Sequence, residues 1–495
     1  MKALFIPLIF LLQVALVYPQ SAKLSIEDNR SKNPNITLFV NGMTQIYEPS
    51  RMYNEEGKLV LIDGKLTREW PIHKITSVIL FGEGWLKRMY ISPGDDLKLT
   101  ISTLENKDSV KITGIGAENN QYLAFEYYLN SEKFKNDTLP DHVIQELKRL
   151  EDFNRRALDD YKKQHKTTPE FNKMMEGNLQ YFTANQYHNF YGNQNFTLRK
   201  MSNYDELHRR WETQLDNIFS KIKLNNEQVL QSSLYTDLLG DYLLRKKEKI
   251  WNTINDSTVL KKYYPELPKE EAMRLFGSDQ ENLLVERIIN TEFTGKVNEY
   301  AYAILLRNIK EDKKTSAVEI IDRFEKKFPQ SPYLSMFSKT IAEIKENDSR
   351  KLNENMRFVQ GGDTFNTFDQ VLASFKGKTV LIDLWGTWCT PCHQELQKNA
   401  APLKKHFENK DLTFLYIANY DTDKQSQLEK LIAFYNLEGM HINAKKELTD
   451  DILKKTGAKG FPSYILIKKD GSYELSKAGY PMRREVLIQQ IEGVL

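Results

Sequence analysis

The sequence predicts a multidomain α+β protein, in which an N-terminal antiparallel β domain and a central helical region precede a C-terminal α/β domain with a mixed sheet. Three observations support this division. The chain has 495 residues, whereas one domain usually has about 100–200. Apolar residues recur at a spacing of two near the N-terminus and at helical spacings in the middle of the chain. Near the C-terminus, strand-like and helix-like segments alternate.

The composition is that of a soluble globular protein and excludes several functional classes. Hydrophobic residues make up 40% of the chain and charged residues 28%, which is unlike a disordered protein. The formal net charge is +3, so binding of nucleic acid through a strongly basic surface is not indicated. The two cysteines of the chain are too few for a scaffold of several disulfides or for a zinc or iron–sulfur site made of several cysteines.

Residues 1–22 are interpreted as a secretory signal peptide. Lys2 is followed by an almost continuously apolar stretch over residues 3–17, which is shorter than the roughly 20 residues of a membrane-spanning helix. Cleavage is expected near the small residues Ser21 and Ala22. An uncleaved N-terminal anchor is the main alternative, a buried N-terminal helix is a weaker one, and no later membrane span is expected. We therefore expect a periplasmic or otherwise extracytoplasmic location, where disulfides persist.

Residues 23–117 are predicted to form the antiparallel β domain. Ile36, Leu38 and Val40 recur at a period of two, and apolar residues alternate with polar ones again over residues 97–101. This pattern is typical of strands that pack one face against a core. The segment contains no obvious cluster of catalytic residue types.

Residues 118–346 are predicted to be helical, and residues 347–355 are interpreted as a polar linker to the last domain. Val143, Leu147 and Leu150 recur at helical spacings among charged residues. The region is rich in aromatic residues, which we interpret as helix-packing core rather than as a ligand-stacking surface. Its histidines lie singly and show no metal-ligand spacing, so no metal site is expected.

Residues 356–495 are predicted to form the C-terminal α/β domain. Strands are expected over residues 379–384, 412–418, 463–468 and 472–475. Helices are expected over residues 390–408, 428–435, 450–455 and 483–495. Strands separated by helices indicate βαβ connections, and the final hairpin adds antiparallel pairing, which gives a mixed sheet.

The two cysteines, Cys389 and Cys392, lie in the sequence WGTWCTPC between a predicted strand and a predicted helix. At a helix start, outward-pointing backbone N–H groups and the positive end of the helix dipole stabilise a thiolate, which is the nucleophile in disulfide exchange. Cys392 lies one turn further on, where it can attack the mixed disulfide of Cys389 and release the product. Pro391 suits a first helical turn, because the N–H it lacks would have no partner there.

The stretch DLWGTWCTPC resembles the active-site sequence of thioredoxin-fold proteins, and residues 355–495 are most similar to exported TlpA/ResA-like thiol–disulfide oxidoreductases. The resemblance implies a thioredoxin fold with a redox-active Cys389–Cys392 disulfide and no other cofactor. It also implies protein thiols and disulfides as partners, together with a redox partner that it does not identify. The segments YISPGDDLKLTIS and ITGIGAENNQYL are loosely similar to the β domain that precedes thioredoxin modules in exported proteins of Bacteroidota.

The resemblance also suggests roles for five other residues. Asp383 matches the buried proton-accepting carboxylate of thioredoxins, although a carboxylate satisfied by backbone donors is the alternative. Glu395 matches an active-site glutamate of ResA-like proteins, and an ordinary acidic residue near a helix start is its alternative. Pro462 matches the cis-proline, whose loop would place the Phe461 backbone against an extended substrate chain. Trp388 would flank the cysteines as an apolar docking face, or would pack in the core.

Two positions depart from the family pattern. ResA-like proteins usually have a proline two residues after the glutamate, whereas this chain has Gln397 there and a proline only at Pro402. Phe461 is bulky where the family commonly has threonine or another small residue. This second departure affects the shape of the substrate groove and not the chemistry.

The leading hypothesis is a thiol–disulfide oxidoreductase that acts on protein disulfides outside the cytoplasm, as a reductant, since a proline precedes the second cysteine as in reducing thioredoxins. The alternative is a non-enzymatic partner-binding protein whose C-terminal disulfide is structural. A peroxiredoxin-like peroxidase would have threonine or serine three residues before the reactive cysteine, where this chain has Gly386. A zinc site that combines the two cysteines with His393 lacks a fourth ligand.

Overall fold

The structure is a computed structural model, and it describes residues 21–30, 35–40, 58–72, 74–82, 85–104, 107–253, 256–278, 282–311 and 316–495. It divides into two compact units, Met1–Tyr242 and Leu243–Leu495. Apart from Ser21 and Ala22, the predicted signal peptide lies outside the described residues. Within the described part of the chain, none of the helices has the length and apolarity needed to span a membrane.

Two four-stranded sheets form the N-terminal part of the first unit. The strands are β1 (Ser21–Asp28), β2 (Asn35–Val40), β3 (Lys58–Val60), β4 (Lys65–Pro71), β5 (Thr76–Gly82), β6 (Trp85–Ile91), β7 (Asp96–Leu104) and β8 (Lys107–Ile115). One sheet has the order β4-β1-β7-β8 and the other β3-β2-β5-β6. The described pairings are antiparallel, apart from the parallel pair of β1 and β7. The predicted N-terminal antiparallel β region is therefore present, with one parallel pair added.

Helices make up most of the chain between the β region and residue 349. They are α1 (Asp141–Gln164), α2 (Pro169–Leu198), α3 (Tyr204–Phe219), α4 (Ser233–Thr253), α5 (Ser257–Tyr263), α6 (Lys269–Ser278), α7 (Asn282–Glu292), α8 (Gly295–Glu311), α9 (Ser316–Lys327), α10 (Pro332–Met336) and α11 (Ser338–Ser349). In α2 and α3, Tyr181, Tyr187 and Trp211 are fully buried, and Trp211 stacks on Tyr187. The interpretation of the aromatic residues of this stretch as helix-packing core is confirmed.

A six-stranded mixed sheet forms the centre of the C-terminal domain. Its strands are β9 (Met356–Phe358), β10 (Thr379–Trp385), β11 (Leu412–Asn419), β12 (Gly439–Ala444), β13 (Ser463–Ile467) and β14 (Tyr473–Leu475), in the order β14-β13-β10-β11-β12-β9. The accompanying helices are α12 (Phe368–Ser374), α13 (Thr390–Glu395), α14 (Ala401–His406), α15 (Gln425–Phe434), α16 (Lys446–Thr456) and α17 (Arg484–Glu492). β10 pairs in parallel with β11 and antiparallel with β13. The predicted mixed sheet is confirmed, and β9, β12 and α12 are elements that the sequence pattern did not indicate.

The helix after β10 is interrupted. α13 ends at Glu395, a π-helical segment covers Leu396–Ala400, and α14 begins at Ala401. Pro402 has no N–H to donate to the carbonyl of Lys398, so the regular α-helical bonding cannot continue across this point. The single helix predicted over residues 390–408 is therefore two short α-helices joined by a π-helical segment.

Candidate active site

The cysteine pair begins the helix that follows β10. Cys389 and Cys392 form a disulfide, and Cys389 is the N-cap residue of α13. The backbone N–H of Cys392 donates to Cys389 Sγ at 3.2 Å. Cys392 is fully buried, and Cys389 is 3% exposed. When the pair is reduced, this N–H and the positive end of the helix favour a thiolate at Cys389.

The loop between β10 and α13 is held by groups at the end of β11. The backbone N–H and the hydroxyl of Thr387 donate to the Asp421 carboxylate at 2.7 and 2.6 Å. Burial raises the pKa of Asp421 above its usual range. Trp388 Nε1 donates to the backbone carbonyl of Asn419 at 2.9 Å. A Cβ at Gly386 would lie 2.6 Å from Trp388 Nε1, so the folded-back tryptophan requires glycine at this position.

Asp383 lies on β10, on the face of the strand that points toward the hydrophobic core around Cys389 and Cys392. Because side chains alternate along a strand, it shares a face with Leu381 and Trp385, which pack in the same core cluster as Cys389 and Cys392. Its Oδ1 atom is buried and has no hydrogen-bond partner among the described residues. Burial, with the negative charge of Glu395, raises the pKa of Asp383 to about 8. A carboxyl group with such a pKa exchanges protons near neutral pH.

Glu395 and Asp383 line the same small cavity. Glu395 is buried, and its carboxylate accepts hydrogen bonds from Asn399 Nδ2 at 2.6 Å and from the backbone N–H of Met482 at 3.3 Å. The cavity has a volume of about 20 Å³, while one water molecule needs about 10–15 Å³. Tyr464 also lines it, and its buried hydroxyl has no hydrogen-bond partner among the described groups. The cavity therefore has the size and the polar groups to take one water molecule.

Three aromatic rings contact one another, and one of them, Trp388, directly precedes Cys389 in the chain. The Phe461–Pro462 peptide bond is cis, and the Phe461 ring packs edge-to-face on Trp388, with a centroid distance of 5.6 Å. Tyr420 directly follows β11, and its ring contacts both others. The centroid distances are 6.2 Å to Trp388 and 6.1 Å to Phe461. Trp388 is 47% exposed and Tyr420 41% exposed. Trp388 therefore lies at the surface rather than in the core.

The structure places the predicted site residues in two groups. Trp388 contacts Phe461, which precedes the cis Pro462, while Asp383 and Glu395 line the same small cavity. His393 is buried, and its ring lies near those of Trp385 and Tyr435. Among the described residues, no group of three or more His, Cys, Asp or Glu side chains is arranged to hold a metal ion.

Sequence reasoning missed four residues of this region, namely Asn419, Tyr420, Asp421 and Tyr464. One signal could have indicated the first three. They lie at or directly after the end of a strand that is parallel to the strand before the cysteine motif, and the carboxyl ends of parallel strands meet at the same edge of a sheet. Tyr464 lies within an apolar strand, where nothing in the sequence distinguishes it from core.

Comparison with known proteins places similarity in the C-terminal domain. A family model described as thioredoxin-like matches residues 377–473. The thiol–disulfide oxidoreductase ResA of Bacillus thuringiensis subsp. konkukian (strain 97-27) is 29% identical over 100 residues, which are 20% of this chain and 54% of that protein. ResA of Bacillus anthracis is 29% identical over 124 residues, which are 25% of this chain and 65% of that protein. The chain thus spans about half of the length of the first of these relatives and just under two thirds of the second.

Solved structures are also similar to part of this chain. The thioredoxin domain of a thiol–disulfide oxidoreductase from Bacteroides vulgatus is 22% identical, with a TM-score of 0.22. The match covers 25% of this chain and 84% of the Bacteroides vulgatus chain. A secreted disulfide oxidoreductase of Mycobacterium tuberculosis is 19% identical, with a TM-score of 0.21. The match covers 24% of this chain and 85% of the Mycobacterium tuberculosis chain.

Proposed function

We propose that this chain, whose C-terminal domain is a TlpA/ResA-like thioredoxin-fold domain, is a thiol–disulfide oxidoreductase that reduces protein disulfides outside the cytoplasm. The observation that carries the proposal is the Cys389–Cys392 disulfide at a helix start. The carboxyl group of Asp383, with a pKa of about 8, supports it. The extracytoplasmic location is supported by the apolar N-terminal segment of the sequence.

The first step is attack by the Cys389 thiolate on one sulfur of a substrate disulfide. A new S–S bond forms between Cys389 and that sulfur, and the other substrate sulfur leaves as a thiolate with the electron pair of the broken bond. The N–H of Cys392, 3.2 Å from Cys389 Sγ, stabilises the attacking thiolate. The aromatic rings of Trp388 and Phe461 flank the substrate.

The second step releases the substrate and oxidises the cysteine pair. The Cys392 thiol gives its proton to the Asp383 carboxylate and attacks Cys389 Sγ, so that the second substrate sulfur leaves as a thiolate. Both substrate sulfurs are then reduced, and Cys389 and Cys392 are joined. Asp383, with a pKa of about 8, is suited to accept this proton and to release it afterwards. Glu395 contributes by raising that pKa.

Regeneration needs a dithiol partner that reduces the Cys389–Cys392 disulfide by the reverse exchange. In that direction the protonated Asp383 returns a proton to Cys392. The reducing direction is proposed because Pro391 precedes the second cysteine, as in reducing thioredoxins.

Equilibration of the full-length protein with glutathione buffers tests the proposal. We expect the pair to interconvert between dithiol and disulfide, as followed by alkylation and mass spectrometry, and the reduced protein to reduce a disulfide-bonded model protein. The Cys389→Ser variant is the inactive control. A reduced pair that neither reacts with an alkylating agent at Cys389 nor exchanges with glutathione would overturn the proposal. The non-enzymatic partner-binding protein with a structural disulfide would then be the better explanation.

A further inference from the structure

Tyr420 has a strained backbone between two firmly held neighbours. Its φ angle is +60°, a left-handed conformation that is uncommon for an aromatic residue. On one side, the buried Asn419 amide donates to two backbone carbonyls at 3.0 and 2.8 Å. On the other side, the Asp421 carboxylate accepts both hydrogen bonds from Thr387. Strained residues persist where the surrounding structure fixes them, and they concentrate at ligand-binding sites.

The Tyr420 ring completes a triangle of aromatic rings with Trp388 and Phe461. The three centroid distances are 5.6, 6.1 and 6.2 Å, so each ring contacts the other two. Trp388 directly precedes Cys389 in the chain, and Cys389 is itself only 3% exposed. Because Trp388 adjoins Cys389, a substrate bonded to the Cys389 sulfur comes close to this group of rings.

We infer that Tyr420 is a specificity-determining residue, which together with Trp388 and Phe461 selects protein substrates that carry an aromatic or large aliphatic side chain beside the reacting cysteine. This inference rests on the proposed function and specifies its substrate class. Three fixed rings offer apolar area and edge-to-face contacts to such a side chain. Glutathione disulfide does not provide one, because its cysteine is flanked by a γ-glutamyl group and a glycine.

Two disulfide peptides that differ only in the residue beside the cysteine, phenylalanine in one and serine in the other, test the inference. With the reduced full-length protein, we expect kcat/KM to be roughly 3- to 10-fold higher for the phenylalanine peptide. Tyr420→Phe should keep this ratio, because the ring remains. Tyr420→Asn should lower the ratio, because one of the three rings is lost while Trp388 and Phe461 remain. Asparagine accepts a left-handed backbone, so this variant removes the ring without adding backbone strain.

The control is Tyr122→Asn, which removes a tyrosine that is 84% exposed and should leave the ratio unchanged. Equal kcat/KM values for the two peptides with the unmodified protein would overturn the inference and leave the proposed function standing. An undiminished ratio in Tyr420→Asn would overturn it as well. If the unmodified protein reduces neither peptide nor glutathione disulfide, the proposed function fails, and the inference fails with it.

Discussion

The Asp421 carboxylate accepts two hydrogen bonds from Thr387, one from the backbone N–H at 2.7 Å and one from the hydroxyl at 2.6 Å. Asp421 follows β11, and Thr387 lies in the loop that carries Cys389. The neighbouring strand therefore fixes the position of the loop through one buried carboxylate. This connection gives the cysteine motif a defined shape before any substrate binds, which reduces the ordering that binding would otherwise require.

Removal of this carboxylate should destabilise the domain. In Asp421→Ala the buried donors of Thr387 lose their partner, at an expected cost of about 2–3 kcal/mol in the free energy of unfolding. Unfolding of the oxidised full-length protein in denaturant measures the loss. Asp423→Ala, at an exposed position two residues further on, is the matched control. If the two variants are equally stable, Asp421 does not have the role assigned to it.

The free energy of unfolding should depend on pH because the pKa of Asp383 differs between the folded and the unfolded chain. Its pKa is about 8 in the folded protein and about 4 in an unfolded chain. Between these values the unfolded chain releases a proton that the folded protein keeps. This contribution to stability is therefore complete below about pH 4 and is lost as the pH rises, by about 1.4 kcal/mol per pH unit, until it ends near pH 8.

Asp383→Asn removes this dependence. We expect the variant to gain stability relative to the unmodified oxidised protein as the pH rises from about 4 to about 8, as measured by thermal unfolding of the full chain. Asp423→Asn is the control, since it also replaces a carboxyl group by an amide but at an exposed position. A stability difference between Asp383→Asn and the unmodified protein that stays constant with pH would contradict the assigned pKa.

The same substitution should slow the release of substrate. Without the carboxylate, the Cys392 thiol loses its proton acceptor, and general base catalysis typically contributes a factor of about 100 or more. Stopped-flow measurement of thiol release from the mixed disulfide checks this. In the unmodified protein the rate should rise as Asp383 ionises near pH 8, and in Asp383→Asn this rise should be absent. A variant with an unchanged rate and pH profile would remove Asp383 from the mechanism.

Glu395→Gln should move that pH profile toward lower pH. The charge of Glu395 raises the pKa of Asp383, so its removal should lower that pKa, while the amide oxygen can still accept the hydrogen bond from Asn399. The midpoint of the rate profile is the measurement, with Glu408→Gln at an exposed position as the control. A midpoint that does not move would favour the alternative that Glu395 is an ordinary acidic residue near the helix start.

Cys392→Ser should trap protein substrates on Cys389. The variant completes the first exchange, but it lacks the sulfur that attacks the mixed disulfide. Purification from an extracytoplasmic fraction, followed by non-reducing and reducing electrophoresis, should show partners that reducing agent releases. The double variant with Cys389→Ser should trap none. Failure to trap any protein would contradict the proposal that the substrates are proteins of that compartment.

The cysteine motif and the order of most elements around it could be predicted, because each is determined by the residues of a short, continuous stretch of sequence. Asn419 and Asp421 were missed because their relation to the motif depends on the parallel pairing of β10 with β11, which places Trp385 opposite Ala418; the end of the second predicted strand was the one signal that pointed to them. The strand β12 was missed because polar residues interrupt its apolar pattern. His441 and Asn443 of that strand are buried nonetheless, since His441 Nε2 bonds to the carbonyl of Leu437 at 2.9 Å and Asn443 Nδ2 donates to the carbonyl of Asp421 at 3.1 Å.

The π-helical segment Leu396–Ala400 sets the rotational phase of the helix that crosses the site. Glu395 and Leu403 are eight residues apart, and in an uninterrupted α-helix, at about 100° per residue, their side chains would point about 80° apart. The additional residue of a π-helical turn reduces this angle to about 20°. Both side chains therefore line the cavity that contains Asp383. Without the additional residue, a different face of the helix would be turned toward the carboxyl group of Asp383.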